Sequence, residues 1–124
     1  MNIWMVEMQL INEYTLEIKK SKFIAYYYQI DSKEDVEIII NNLKKEHKNA
    51  KHIPYAYKLN TTAKKTDDKE PSNTAGMPIY SIIEKKNLEN VFIGVVRYFG
   101  GIKLGTGLLT RSYLNCANEV TKKS

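Results

Sequence analysis

Val91-Phe92-Ile93-Gly94-Val95-Val96-Arg97-Tyr98-Phe99-Gly100-Gly101-Ile102-Lys103-Leu104-Gly105-Thr106-Gly107-Leu108-Leu109 is the stretch whose reading decides the fold. Its first half is rich in β-branched residues and apolar on both faces, which predicts a central strand over Val91–Phe99. Its second half holds Gly100, Gly101, Gly105 and Gly107 within eight residues. Beyond them Leu108, Leu109, Ser112, Tyr113, Cys116 and Val120 recur at helical spacing, which predicts a helix running to about Val120. A glycine-rich turn that opens into a helix presents unpaired amide donors, and these favour anions. Arg97, Lys103 and Arg111 flank the turn. The functional site is therefore expected here, with a negatively charged partner. The pattern is not a Walker A loop, because no Lys-Ser/Thr follows its last glycine, and Leu108-Leu109-Thr110 does not complete a dinucleotide fingerprint. The competing reading is a tight strand-to-helix turn whose glycines answer only to backbone geometry.

Working back toward the N-terminus, Thr74-Ala75-Gly76-Met77-Pro78 introduces Ile79, Ile82 and Ile83, a short helix with proline in its first turn. Asn87–Asn90 reads as a turn. Asn60–Asn73 is polar, charged and without periodicity, and is expected to be a long loop. His52–Leu59 is a strand candidate in which Pro54 favours the start or an edge. Ser32-Lys33-Glu34-Asp35 has the form of a capping box, and Val36, Ile39, Ile40 and Leu43 follow on one helical face. Phe23–Ile30 reads as a strand; its Tyr26-Tyr27-Tyr28 run fits either an aromatic comb for nucleic acid or ordinary amphipathic packing, the latter being favoured. Tyr14–Ile18 alternates like a strand, Asn12 reads as a turn, and Ile3–Leu10 reads as a short strand anchored by Trp4. This order predicts an α+β fold with helices packed on one face of a mainly antiparallel sheet.

A chain of 124 residues with 43% hydrophobic and 27% charged residues suits one globular domain, residues 1–124. No apolar run approaches the ~20 residues of a membrane span. Cys116 is the single cysteine, which excludes an internal disulfide. The N-terminal segment has no basic leader region. Together these features point to a reducing cytoplasm. The net charge of +5 is uneven. Residues 1–90 hold 14 Lys/Arg against 13 Asp/Glu, whereas from Val91 onward Arg97, Lys103, Arg111, Lys122 and Lys123 face Glu119 alone. A basic excess beside the glycine turn fits a phosphate, a nucleic acid or an acidic protein.

A second constellation is Asp67-Asp68-Lys69-Glu70-Pro71-Ser72-Asn73-Thr74-Ala75-Gly76. Its carboxylates suit acid–base work or Mg²⁺ alongside phosphate, or simply a solvated acidic loop paired with Arg97 or Lys103. No nucleophile is placed beside them. His52 stands at a strand start, where it is either an accessory acid or a hydrogen-bonded structural residue. Two histidines and one cysteine make no zinc site. Nothing calls for a cofactor. Cys116, on the apolar helix face, reads as an inert buried thiol.

In these segments the chain resembles the N-terminal domain of the Impact family, which includes bacterial proteins of the YigZ type. The resemblance covers about residues 13–120. It rests on Glu17-Ile18-Lys19-Lys20-Ser21-Lys22-Phe23-Ile24, on Ala50-Lys51-His52, on Asp67–Gly76 and on Arg97–Leu109. Lys69 and Asn73 stand where the family pattern has glycines, and Leu108 replaces the second glycine of the closing pair. The resemblance implies a fold like the second domain of ribosomal protein S-five, and a cytoplasmic role connected with translation. Bacterial relatives carry a further ferredoxin-like domain, which this sequence does not include. Eukaryotic relatives restrain a kinase of an initiation factor by competing for its activator.

The leading expectation is a non-enzymatic module that contacts RNA, the ribosome or a translation regulatory protein. Its candidate binding residues are His52, Asp67, Asp68, Glu70, Thr74, Arg97, Tyr98, Gly100, Gly101, Lys103, Gly105, Thr106, Gly107 and Arg111, with no catalytic or metal-ligating residue assigned. The alternative is an enzyme on a small phosphorylated substrate that uses Asp67, Asp68 and Glu70, with His52 as an accessory acid.

Overall fold

The computed structural model of the chain describes residues 9–122. The expected strand at Ile3–Leu10 and its Trp4 anchor lie outside the described residues, apart from Gln9 and Leu10. The elements run β1 (Leu10–Ile18), β2 (Ser21–Gln29), α1 (Lys33–Glu46), β3 (Tyr55–Leu59), β4 (Thr62–Thr66), α2 (Gly76–Lys85), β5 (Val91–Tyr98) and α3 (Gly105–Val120). The strands form one sheet in the order β1-β2-β5-β3-β4, and every neighbouring pair is antiparallel. β5 lies at the centre, between β2 and β3, and its residues from Val91 to Arg97 are buried. That is why its sequence is apolar without alternation.

The α+β class and the antiparallel sheet agree with the sequence reading. The placement of helices on one face needs correction, because both faces are covered. Strand alternation sends Phe23, Ala25, Ile93 and Val95 to one side, where they pack with Ile79 and Ile83 of α2 and Leu109, Tyr113 and Cys116 of α3. It sends Ile24, Tyr26, Tyr28, Phe92 and Val96 to the other side, against Val36, Ile39 and Leu43 of α1. The tyrosine run is thus strand packing: Tyr26 and Tyr28 are buried on the α1 face, and Tyr27 packs on the opposite one.

Local signals set the element ends. Ser32 accepts from the Asp35 amide while the Asp35 carboxylate accepts from the Ser32 amide, a complete capping box that starts α1. β1 and β2 are joined at Lys19-Lys20, both at positive φ (46° and 67°), the twist that a two-residue hairpin turn requires. Asn87 and Asn90 also take positive φ in the turn before β5.

Two expectations are overturned. Asn12 is not a turn residue: it lies within β1 at a register shift, and its side-chain amide donates to the Val120 carbonyl at 3.0 Å. The segment 60–73 is not all loop, because Thr62–Thr66 pairs with β3 as the edge strand β4. Both faces of β4 are largely exposed, so the sequence carries no apolar alternation there, and Lys64 and Lys65 suit an open edge. Among the described residues no helix is long and apolar enough to cross a membrane.

Candidate functional site

Strand β5 ends at Tyr98, and the chain turns through Gly100 and Gly101 into α3. Gly100 presses on the β1–β2 turn so closely that a Cβ would overlap the Lys20 carbonyl. Gly105 opens α3 at φ +76°, a conformation side chains resist. No side chain caps α3 and its first turn holds no acidic residue, so its leading amides stay available to a ligand.

Those amides stand beside a cavity of about 340 Å³. The chain before β3 forms another wall. Lys51 N donates to the Arg97 carbonyl at 2.8 Å, and Arg97 N donates to the His52 carbonyl at 2.9 Å, which brings Lys51 and His52 alongside the end of β5. Pro54 has no amide to continue this pairing, which explains why β3 proper begins only at Tyr55. Lys51 Nζ lies 4.8 Å from the centre of the exposed Phe99 ring, a cation–π contact at the rim.

Buried beneath is an ion pair. Arg97 Nη1 donates to Glu70 Oε1 at 3.0 Å and to Oε2 at 2.8 Å. The Tyr113 hydroxyl donates to Oε2 at 2.5 Å, and His52 Nε2 stands 3.5 Å from Oε1. Burial, then the Glu70 charge, pushes the Tyr113 phenol well above its usual range, so it remains a donor. A buried ion pair is favourable only when its remaining hydrogen-bonding capacity is met. Glu70 meets that condition. Arg97 does not, because its Nε is buried without a hydrogen-bond partner.

Six of the sequence candidates therefore share this cavity: His52, Glu70, Arg97, Lys103, Gly105 and Thr106. The others lie elsewhere. Tyr98 packs on the α1 face, where its hydroxyl meets His47 Nδ1 at 2.5 Å. Asp67 accepts from the amides of Asn73, Ala75 and Gly76, and so caps the start of α2. Asp68 accepts from the Ile53 amide at 2.7 Å and lines a separate depression with Lys44 and Tyr55. Thr74 is buried and donates to the Pro71 carbonyl. Arg111 borders a groove between α2 and α3, with Lys85 and Leu114. Gly100 serves packing, and neither Gly101 nor Gly107 lines the cavity.

Sequence reasoning missed Lys51, Phe99 and Tyr113 at this site. Strand alternation offered a signal for one of them: Phe99 shares a strand face with Arg97, and Tyr98 cannot. The pairing of Tyr113 with Glu70, 43 residues away, has no local signature.

The family model for the Impact N-terminal domain matches residues 19–121. The IMPACT family member YvyE of Bacillus subtilis is 38% identical over 110 residues, which span 86% of this chain and 51% of that protein. The chain thus spans about half the length of the curated relatives it matches. A crystal structure of a hypothetical protein superposes with a TM-score of 0.84 at 31% identity, over 90% of this chain and 59% of the other. The two-domain translational regulator Yih1 superposes with a TM-score of 0.53 at 20% identity, over 90% of this chain and 46% of Yih1, a likeness of fold. With the family model spanning most of its length and the two regions that meet at the cavity both inside the match, the chain belongs to the Impact family and carries that family's N-terminal domain.

Proposed function

We propose that this domain is a non-enzymatic binding module of translation that holds a phosphate of RNA in the cavity between the Gly100–Gly107 turn and the Lys51–His52 segment. One observation carries the reading: the uncapped start of α3, the exposed Lys51 and Lys103, and the buried Arg97 converge on one cavity. Helix amides and cations are the groups that hold phosphate. The carboxylates, in contrast, are engaged in structure. Asp67 and Asp68 bind backbone amides outside the cavity, and Glu70 is held by Arg97 and Tyr113. This favours binding over acid–base catalysis. The translational role is supported by the fold shared with Yih1, which is described as a translational regulator.

Fluorescence anisotropy with a short structured RNA at two salt concentrations tests the proposal. Affinity is expected to fall with salt, by a log–log slope of about −0.7 to −0.9 per phosphate neutralised. Lys51→Gln and Lys103→Gln, both at exposed positions, are expected to reduce both affinity and slope. Salt-independent binding, or binding untouched by these changes, would overturn the reading. Absence of RNA binding would turn the assignment to a translation regulatory protein.

A further inference from the structure

Phe99 is a large apolar side chain left 41% exposed, and it lines the cavity. Strand alternation puts it on the Arg97 face at the end of β5, and the two residues that follow, Gly100 and Gly101, have no side chain to cover it. The buried Arg97 guanidinium lies over the ring at 5.8 Å from its centre, and the exposed Lys51 Nζ lies over it at 4.8 Å. Pro71, Leu104 and Leu109 add to an apolar lining. An exposed aromatic ring, an apolar recess and cations beside them are the parts of a stacking platform for bases.

Charge divides the cavity into two regions. Glu70 offsets Arg97 in the interior, at 2.8 Å, so the interior favours an uncharged group. The cations left to meet an anion are Lys51 and Lys103, both exposed. A ligand that suits both regions joins a flat, uncharged ring to a phosphate, as a nucleotide of RNA does. A phosphate alone leaves the apolar lining unfilled, and an apolar group alone leaves the cations unmatched. The volume of about 340 Å³ lies near the lower end of the roughly 300–1,000 Å³ of ligand pockets, which suits one base rather than several.

We infer that the cavity receives one unpaired base of RNA, stacked on Phe99, while the adjoining phosphate stays at the mouth with Lys51 and Lys103. Lys51 yields the ring to the base, because its flexible stem lets the ammonium swing to the phosphate. The inference rests on the RNA binding proposed above and adds that the RNA is single-stranded where it is held. A paired base has its faces covered by its neighbours in the helix and cannot reach the ring.

Two measurements on the full chain test it. The first is anisotropy of one short RNA without self-complementarity, labelled at its 3′ end, as a single strand and in duplex with its complement, at one salt concentration. Phosphate attraction alone favours the duplex, whose charge is denser. The single strand is nevertheless expected to bind about tenfold more tightly, within the range of one base stacked on an aromatic side chain. Phe99→Leu keeps an apolar side chain without a π face and is expected to erase that preference, whereas Phe99→Trp is expected to retain it. The second is an NMR titration of the labelled protein, which needs no variant. The ring current of a base in the cavity is expected to move the methyl resonances of Leu104 and Leu109 when the single strand is added, and the duplex is expected to leave them in place.

Duplex binding as tight as that of the single strand, with Leu104 and Leu109 unmoved, overturns the inference while RNA binding stands. A single-strand preference that survives Phe99→Leu puts the base elsewhere and overturns it too. Binding of neither RNA removes both this inference and the function proposed above, and leaves the apolar lining to a side chain of a protein partner.

Discussion

Arg97 Nη1 bridges both carboxylate oxygens of Glu70, 27 residues away in sequence, with both side chains almost fully buried. The contact joins the end of the central strand to the acidic loop, so the wall of the cavity and the stability of the domain rest on the same pair. Removing one member leaves the other charged and unpaired, at a cost of about 3–5 kcal/mol. Arg97→Met and Glu70→Leu are each expected to lower the unfolding free energy by that amount in urea denaturation. The double variant strands no charge and should lose clearly less than the two losses combined. Additive losses would show that the pair is not coupled.

The glycines of the turn do different work, and alanine substitution separates them. A Cβ at Gly100 would overlap the Lys20 backbone carbonyl, which cannot move without disturbing the β1–β2 turn. At Gly107 the nearest atom to a Cβ is Arg111 Nη1 at 3.5 Å, an ordinary contact with the end of a flexible side chain. Gly100→Ala is expected to destabilise by about 3 kcal/mol. Gly107→Ala, within α3, is expected to be neutral or to stabilise by up to about 1 kcal/mol. Thermal melts of the two variants decide this, and a reversed order would contradict the packing described.

What was legible in the sequence follows from how local each signal is. The capping box at Ser32 and Asp35 closes within one turn, and β5 is apolar throughout because both its faces are buried, so both could be read directly. β4 was invisible because an edge strand with exposed faces needs only the backbone bonds that β3 supplies. The basic turn and the acidic loop were each visible, but their joint is not local. Whether Glu70 or Asp68 meets Arg97 depends on the positive φ at Asp68 and Lys69, which redirects the loop between the two carboxylates. The burial of α1 on the far face was hidden for a similar reason. An amphipathic helix shows which of its own sides is apolar, not which face of the sheet will receive it.

Asp67 looks like a site residue and is positioned like a helix cap. Its Oδ1 accepts from Ala75 N at 3.1 Å and Gly76 N at 2.8 Å, and its Oδ2 from Asn73 N at 2.9 Å. Asp67→Ala frees three amides and is expected to cost about 2 kcal/mol. Asp67→Asn, which keeps one accepting oxygen, should lose less. RNA affinity of the folded fraction should match the parent protein in both. Full stability of Asp67→Ala combined with lost RNA affinity would assign the carboxylate to binding instead.

His47 gives the domain a pH dependence on the α1 face of the sheet. Its ring sits between the Tyr26 hydroxyl at 2.8 Å from Nε2 and the Tyr98 hydroxyl at 2.5 Å from Nδ1. Burial lowers its pKa below the usual 6.5, against the opposing pull of Glu46 and Glu13 and with a smaller push from Lys22. A neutral imidazole donates to one phenol and accepts from the other, whereas protonation sets a second donor against a hydroxyl that was donating. The folded chain therefore binds fewer protons at this site than the unfolded chain does. Stability from His47 is complete above the unfolded value near 6.5 and is lost as pH falls through the lower folded value. His47→Gln keeps hydrogen-bonding capacity but cannot titrate. Urea midpoints at mildly acidic and neutral pH should show the parent protein losing more stability on acidification than this variant, with all carboxylate contributions common to both. Equal losses would mean that the imidazole titrates alike in the folded and unfolded chains.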